Sequence, residues 1–300
     1  MKVYLNDPMA PSAIARLKAH VEIIDNFDHP EELDAIIVRQ QYVPADVILR
    51  AKRCRLIQQH GVGLDRIDTG TAALCGIPVK NTPGVNSRSV AEYAVAMMLA
   101  LSRKVAQIDR KTRKGQLPSF GMPETVGLEM TGKRLGLVGS GHVAHDVAQI
   151  CRDGFRMEIC CCSGHHSDAE IREMGFEPMS LHTLFASCDY ISLHCLLTPE
   201  RRHMINGACF VNCNPNLILI NTARGGLVDE NALYEALTTG KIAAAGLDVF
   251  EQQPPATDNP LLSLENFLAG IHVAGSTREA LERNGKAVVD SVFEALGIEE

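Results

Sequence analysis

A chain of 300 residues with 46% hydrophobic and 22% charged residues is long enough for two ordinary domains and has the composition of a globular enzyme. The net charge of −7 and a pI near 5.9 argue against a surface that binds nucleic acid or anionic membranes. The sequence contains no apolar run long enough to span a membrane, and the N-terminal Met1-Lys2 meets charge too early for a signal peptide. We therefore expect a cytoplasmic protein with its ten cysteines reduced.

Short apolar strands alternate with amphipathic helices over the first part of the chain. This alternation predicts a small doubly wound domain built on a parallel sheet. The expected strands are 3–5, 35–38, 56–57 and 77–79, and the expected helices are 12–20, 45–52 and 67–74. A long helix is predicted from Ser87 through Val105, and the Gly- and Pro-rich segment 115–127 predicts a loop.

The second half of the chain repeats the alternation on a larger scale. Strands are expected at 135–138, 157–161, 190–193, 217–220, 243–247 and near 267–271. A last amphipathic helix is expected over 277–296. The pattern predicts a second parallel sheet with helices on its faces.

The segment 135–144, with the sequence LGLVGSGHVA, predicts a strand, a tight turn and a helix. Gly139 and Gly141 let the turn close and bring backbone N–H groups near a pyrophosphate at the helix N-terminus, and Ala144 takes the third small position. A single motif of this kind also fits any strand–turn–helix. Its position before further strand–helix alternation favours a dinucleotide site.

Several motifs occur in a specific order along the chain. They are Gly61–Asp65, Asn81–Gly84 with Ser89–Glu92, the Gly139 turn, Asn221–Gly226, Gly246–Phe250 and His272–Gly275. On these motifs the chain resembles the D-isomer-specific 2-hydroxyacid dehydrogenases, and among them the glyoxylate/hydroxypyruvate reductases, with phosphoglycerate dehydrogenases and formate dehydrogenases as relatives. The resemblance covers essentially the whole chain.

The resemblance implies an α/β protein with two doubly wound parallel-sheet domains. A Rossmann cofactor domain, residues 99–276, would be inserted into a flavodoxin-like substrate domain made of residues 1–98 and 277–300. It also implies a homodimer, a small-molecule substrate and hydride transfer between NAD(P) and a small 2-oxo or 2-hydroxy acid.

Reduction of a 2-oxo acid requires a cation near the carboxylate and carbonyl and an acid that protonates the developing alkoxide. Arg224 follows an apolar strand and can hold a carboxylate bidentately, and His272 is the candidate acid–base in the family's His-x-Ala-Gly context. The family usually pairs this histidine with a glutamate, but the position is Gln253 here, with Glu251 two residues earlier as a less favoured partner. A neutral partner orients the ring but stabilises imidazolium less than a carboxylate does.

By resemblance, the substrate carboxylate would bind backbone amides of Val62 and Gly63, with His60 nearby. Gln59 and His60 stand where phosphoglycerate dehydrogenases tend to carry an arginine and a small residue. A phosphorylated substrate is therefore disfavoured. Glyoxylate, hydroxypyruvate or a similar small 2-oxo acid fits better.

The choice of cofactor depends on Ser163, which is followed by Gly164, His165 and His166. NAD enzymes place an acidic residue there, about 20 positions past the glycine turn, to hold the ribose 2′-hydroxyl. Without that carboxylate nothing repels a 2′-phosphate, and a hydroxyl with two imidazoles could bind it, although no Arg or Lys follows Ser163 directly. We therefore expect NADP in preference to NAD, with NAD as the alternative.

The residues expected at the cofactor, most of them by resemblance, extend along the whole second domain. They are Gly139, Ser140, Gly141, His142, Val143, Ser163, His165, His166, His194, Thr198, Thr222, Ala223, Arg224, Asp248, His272 and Gly275. No metal is expected, because the adjacent strand residues of Cys160–Cys162 point to opposite faces of the sheet. Two other functions stay open: a nucleotide-sensing protein like the C-terminal-binding-protein corepressors, and a formate dehydrogenase, since those enzymes also use a Gln–His pair.

Overall fold

The computed structural model describes residues 1–116, 122 and 125–300. The chain divides into two compact units, Met1–Asn86 with Ser276–Glu300, and Ser87–Gly275. Each unit contains its own parallel sheet, which confirms the predicted fold class of two parallel-sheet α/β domains.

The first unit is built on a five-stranded parallel sheet in the order β2-β1-β3-β4-β5. Its strands are β1 Lys2–Leu5, β2 Glu22–Ile24, β3 Ala35–Val38, β4 Ile57–Gln59 and β5 Val79–Lys80. Its helices are α1 Pro11–Lys18, α2 Ala45–Arg50, α3 Thr69–Leu74 and α10 Arg278–Leu296. The central strand β3 is buried on both faces, as its uninterrupted apolar sequence AIIV requires.

The second unit is built on a seven-stranded parallel sheet in the order β12-β11-β10-β9-β6-β7-β8. Its strands are β6 Arg134–Val138, β7 Glu158–Cys162, β8 Glu177–Pro178, β9 Tyr190–Leu193, β10 Ile218–Asn221, β11 Ala244–Leu247 and β12 Phe267–Ala269. Its helices are α4 Ser87–Ser102, α5 Val105–Arg113, α6 His142–Phe155, α7 Asp168–Glu173, α8 Leu181–Ser187 and α9 Glu230–Thr238. The strand order reverses between β6 and β9, and ligands of open α/β sheets bind at the carboxyl ends of the strands near such a reversal.

The helix α4 groups with the second unit over its whole length. Its residues Ala91, Ala94, Met97 and Met98 are buried in a core shared with strands and helices of that unit. The units therefore divide after Asn86, whereas the sequence placed the domain boundary after residue 98. At the other end they divide after Gly275 rather than after residue 276.

The helix that begins at Ser87 does not run on through Val105. It ends at Ser102, whose hydroxyl donates to the carbonyl of Met98 and lies 2.8 Å from the hydroxyl of Tyr190. Lys104 then adopts a left-handed conformation with φ of 54°, and α5 starts at Val105. Part of the loop expected over 115–127, residues 117–121 and 123–124, lies outside the described residues.

All ten cysteines are free thiols. Within the described ranges there is no helix long and apolar enough to cross a membrane. Residues 1–116, 122 and 125–300 likewise contain no group of three His, Cys, Asp or Glu side chains arranged to hold a metal ion.

Candidate active site

The glycine turn after β6 is closed against the end of the neighbouring strand β9. Gly139 has φ of 106°, and a Cβ on it would lie 2.6 Å from the carbonyl oxygen of His194, so only glycine fits. Its amide donates to the carbonyl of Cys162 at 2.8 Å. Gly141, by contrast, faces open space where a Cβ would stand, immediately before α6 starts at His142. The turn thus leaves room for an anion at the N-terminus of α6.

Two polar atoms at the ends of β9 and β10 are buried with no hydrogen-bond partner in the described part of the chain: Nε2 of His194 and Oγ1 of Thr222. Burial lowers the pKa of His194 to about 3, so its imidazole is neutral at physiological pH. Unpartnered buried polar atoms are uncommon in proteins, and two of them at the carboxyl ends of neighbouring strands fit a polar ligand such as a dinucleotide. The neighbouring Ala223 is half-buried, and Thr198 precedes a short 3₁₀ turn.

The end of β7 is joined to the glycine turn by side-chain hydrogen bonds. The hydroxyl of Ser140 donates to Oγ of Ser163 at 2.9 Å and lies 2.7 Å from Nδ1 of His166. Oγ of Ser163 also accepts from the backbone amides of His165 and His166. The structure therefore brings together three of the side chains expected at the cofactor, those of Ser140, Ser163 and His166.

A cation that the sequence did not indicate lies at the same place. A Cβ built on Gly164 would stand 3.5 Å from Nη2 of Arg201, so this guanidinium lies directly beside the loop after Ser163. Arg201 belongs to the 3₁₀ turn Pro199–Arg201 that follows β9. Its Nη1 donates to the carbonyl of Leu196 at 3.3 Å.

Arg224 lies in a loop whose backbone is held by hydrogen bonds to a buried side chain. The amide of Asn221, which is fully buried at the end of β10, donates to the carbonyl of Arg224, and its Oδ1 accepts from the amide of Ala223. Gly225 packs so tightly that a Cβ would lie 2.0 Å from the carbonyl carbon of Phe250. This contact packs the loop of Arg224 against the loop that follows β11. Any larger residue at Gly225 would force the backbone of one of the two loops to move.

His272 and Gln253 form the pair expected from the sequence spacing. Nδ1 of His272 is 2.9 Å from Oε1 of Gln253. With the amide oriented in this way, Nδ1 carries the hydrogen of the neutral ring. His272 itself has φ of 63°, a left-handed conformation that is uncommon outside glycine.

Asp248 holds the turn that contains His272. One carboxylate oxygen accepts from the amide of Val273 at 3.1 Å, the other accepts from the amide of Ala274 at 2.7 Å, and the carbonyl of Asp248 accepts from the amide of His272 at 2.6 Å. Burial raises the pKa of this carboxyl above its usual range. Gly270 makes room for it, because a Cβ there would lie 2.1 Å from Oδ1 of Asp248. Gly275 ends the turn and is half-buried.

Glu251, the less favoured partner of His272, is engaged elsewhere. Its carboxylate accepts from Arg202 at 2.6 Å and lies 2.9 Å from Nε2 of His203, while its amide donates to Glu230 at 2.7 Å. Glu230 also accepts from the side chain of Asn259 at 2.7 Å. One carboxylate of α9 thus holds both ends of the loop that carries Gln253.

In the first unit, the loop after β4 carries the predicted substrate-binding residues. The carbonyl of Gly61 accepts from the amide and hydroxyl of Thr82, and the carbonyl of Val62 accepts from the side chain of Asn81. Val62 is exposed and Gly63 is half-buried, so their backbone stays near the surface of the unit. The side chain of His60 is buried, and burial together with the charge of Arg39 lowers its pKa to about 4, so it carries no charge at physiological pH.

A family model described as the NAD-binding domain of D-isomer specific 2-hydroxyacid dehydrogenases matches residues 95–274. The chain belongs to the D-isomer specific 2-hydroxyacid dehydrogenase family. A hydroxypyruvate reductase from Thermotoga maritima is 38% identical, and the alignment covers 99% of each chain. A D-3-phosphoglycerate dehydrogenase from Archaeoglobus fulgidus is also 38% identical over 97% of this chain, which spans only 56% of that longer relative.

Solved structures of this dehydrogenase family with either cofactor resemble the chain. A D-lactate dehydrogenase from Aquifex aeolicus complexed with NAD and lactic acid has a TM-score of 0.86 at 27% identity, covering 99% of this chain and 96% of that one. An NADPH-dependent glyoxylate/hydroxypyruvate reductase from Sinorhizobium meliloti, in complex with NADP and malonate, has a TM-score of 0.85 at 27% identity, covering 96% and 91%. The two structures share their fold with this chain, and one of them holds NAD and the other NADP.

Proposed function

We propose that this chain transfers hydride between a nicotinamide cofactor and a small 2-oxo or 2-hydroxy acid, acting mainly as a reductase of glyoxylate, hydroxypyruvate or a similar acid. The observation that carries the proposal is the 2.9 Å contact between His272 and Gln253, together with Arg224 after β10, the strand next to the one that precedes Gln253. Family membership, and relatives named as hydroxypyruvate and glyoxylate reductases, support it. We further propose that the protein is a cytoplasmic homodimer.

Arg224 is proposed to bind the carboxylate and polarise the carbonyl of the substrate. A guanidinium is planar and stays charged at every working pH, so it can hold a carboxylate through two parallel hydrogen bonds. Its loop is fixed by Asn221 and Gly225, which lowers the cost of ordering it when substrate binds. We also propose that the backbone amides of Val62 and Gly63 donate hydrogen bonds to the substrate carboxylate.

His272 is proposed as the general acid in reduction and the general base in oxidation. Its Nε2–H would give a proton to the alkoxide oxygen as hydride reaches the adjacent carbon, and the neutral ring would take the hydroxyl proton in the reverse direction. Gln253 orients the ring by accepting the Nδ1 hydrogen but adds no negative charge. Imidazolium is therefore less stabilised than beside a carboxylate, and reduction should decline at a lower pH than with a Glu–His pair.

The cofactor supplies or accepts the hydride when it is bound. We propose that it is held by the buried Thr222 hydroxyl, the buried His194 imidazole and the turn at Gly139–Gly141. His142 and Val143, the first two residues of α6, follow that turn. We propose NADP in preference to NAD, because the end of β7 offers hydroxyl and imidazole groups and no carboxylate. Asp248 is proposed chiefly to fix the turn of His272, since both of its carboxylate oxygens already accept from that turn.

A formate dehydrogenase or a corepressor-like sensor is less well supported. The Gln–His pair alone favours the former, but the relatives reported above are dehydrogenases and reductases of 2-hydroxy and 2-oxo acids. For a sensor, the arrangement of Arg224, Gln253 and His272 would have no purpose.

The test follows nicotinamide absorbance while the whole protein is mixed with NADPH or NADH and with glyoxylate, hydroxypyruvate or 3-phosphohydroxypyruvate over a range of pH. We expect turnover of the two unphosphorylated acids, faster with NADPH, and a decline as pH rises. Faster turnover of the phosphorylated acid would overturn the assignment of substrate. Nucleotide binding without turnover of any of the three would favour the sensor, and production of NADH from formate and NAD would favour the formate dehydrogenase.

A further inference from the structure

A positive charge reaches the end of β7 from a distant part of the sequence. Arg201 follows β9, yet its Nη2 lies 3.5 Å from the position of a Cβ on Gly164, directly after Ser163. The carbonyl of Leu196 accepts from Nη1 of Arg201 at 3.3 Å, which anchors one side of the guanidinium. Among residues 1–116, 122 and 125–300, Arg201 takes part in no ion pair; its guanidinium donates to the carbonyl of Leu196, so its charge is available to an anionic ligand.

The other groups at this place are donors or potential donors. Oγ of Ser163 already accepts from Ser140 and from the amides of His165 and His166, so its own hydrogen can be given to a ligand oxygen. The rings of His165 and His166 lie with their centroids 4.9 Å apart at the same loop. This set of groups is complementary to a doubly charged, oxygen-rich anion.

Two carboxylates close in sequence to this place, Glu170 and Glu200, accept hydrogen bonds from other groups. Glu170 accepts from the amide and hydroxyl of Ser167 at 2.7 Å each, as the capping box of α7. A hydrogen bond from Thr198, and to a smaller degree the charge of the adjacent Arg201, hold the pKa of Glu200 below its usual value. In the described part of the chain, neither Glu170 nor Glu200 forms a salt bridge with Arg201.

We infer that Arg201 is the residue that selects NADP, by binding the 2′-phosphate of the adenosine ribose together with Ser163. This inference rests on the proposed function, because it assigns the adenosine end of the same cofactor site. The position is consistent with the fold, since the ribose of a dinucleotide lies at the end of the second strand of a Rossmann unit. Here the cation comes from the turn after β9 rather than from the residues directly after β7.

The test is a binding experiment on the whole protein, independent of turnover. Dissociation constants for NADPH, NADH, 2′,5′-ADP and 5′-AMP are measured for the wild type, Arg201→Gln and Arg201→Lys. We expect the wild type to prefer 2′,5′-ADP over 5′-AMP. Because a charge-assisted bond contributes about 1.5–3 kcal/mol, Arg201→Gln should weaken NADPH by about 10- to 100-fold and leave NADH within about twofold. Arg201→Lys should keep part of the preference.

Arg172→Gln is the matched control, because it removes one positive charge from the exposed face of α7 nearby. It should leave the ratio of NADPH to NADH affinity unchanged. Ser163→Asp should reverse the ratio, since a carboxylate repels the phosphate and accepts from the ribose hydroxyl.

Two outcomes would overturn the inference, and they differ in what they imply for the function. If Arg201→Gln lost affinity for NADPH and NADH equally, or lost neither, then Arg201 would not bind the 2′-phosphate. Turnover of glyoxylate or hydroxypyruvate with NADH would then leave the proposed reaction in place. Failure of the wild type to bind either nucleotide would overturn both the site and the proposed function.

Discussion

The second unit shows two strand ends at which a carboxylate expected from the sequence pattern is missing, and the two differ in what takes its place. Beside His272 a glutamate is replaced by Gln253, which keeps the 2.9 Å hydrogen bond to Nδ1 and loses only the charge. After β7 an acidic residue is replaced by Ser163, and the guanidinium of Arg201 enters from another loop. The sign of the local charge changes at the second place, whereas at the first it becomes neutral.

The two places show that a residue can keep the orienting hydrogen bond of a carboxylate without keeping its charge. A hydrogen bond to an amide can hold an imidazole as a carboxylate does, so loss of charge beside His272 should alter the pH range of the reaction more than its existence. At the end of β7 the lost group is itself the ligand for the ribose, and its replacement should change which cofactor binds. We therefore expect Gln253 to alter the pH dependence of the rate and Ser163 to alter which cofactor binds more tightly.

The largest effect is expected from removing the acid–base group. His272→Asn should lower kcat by about 10²- to 10⁴-fold, because general acid catalysis contributes about that much. Asparagine tolerates the left-handed backbone at this position better than most residues, so folding should be preserved. Thermal unfolding and NADPH affinity serve as controls, and a kcat close to that of the wild type would contradict the role of His272.

A smaller effect is expected from releasing the loop that carries Gln253. Glu230→Ala removes the acceptor for the amide of Glu251 and for the side chain of Asn259. Because these two bonds contribute about 1 kcal/mol each, kcat should fall by up to about 30-fold with little change in the affinity for NADPH. Glu235→Ala, an exposed position of the same helix, is the control and should change neither. Equal losses in the two variants would show that the loop does not depend on Glu230.

The smallest effect at neutral pH is expected from restoring the charge. Gln253→Glu places a carboxylate beside His272, which favours imidazolium and raises its pKa by about 1–3 units. Reduction needs the protonated ring, so its activity is lost as pH rises through that pKa, and the variant should keep it to a correspondingly higher pH. The measurement is the pH dependence of kcat/KM for glyoxylate with the preferred cofactor. Superimposable profiles for the two proteins would mean that His272 is not the titrating acid.

Much of the fold follows from local sequence, because long apolar runs specify buried parallel strands. The strands 35–38 and 190–193 have the predicted bounds, and most others agree to within two residues. The strands β2 and β8 were not predicted, since Glu22–Ile24 and Glu177–Pro178 are short edge segments with little apolar pattern. Their pairing depends on a neighbouring strand rather than on their own composition.

The parts of the candidate site that follow from the spacing of residues in the sequence could be predicted. The parts that depend on contacts between residues distant in sequence could not. The pairing of Gln253 with His272 was expected from the family pattern, and the contact is present in the structure. Arg201 is far from Ser163 in sequence, so no motif indicated their proximity. The requirements for Gly225 and Gly270 likewise arise from tertiary contacts with Phe250 and Asp248, which a linear pattern does not contain.

At His272 the backbone conformation that favours glycine conflicts with the need for an imidazole side chain. Glycine adopts φ near 63° freely, whereas a side chain there costs about 1 kcal/mol, so the residue that suits the backbone best is one that cannot move a proton. The hydrogen bonds from this turn to Asp248 offset that penalty and give the imidazole a fixed backbone. Variants selected only for resistance to heat would therefore be drawn toward glycine at this position, and would lose the acid–base group as they gained stability.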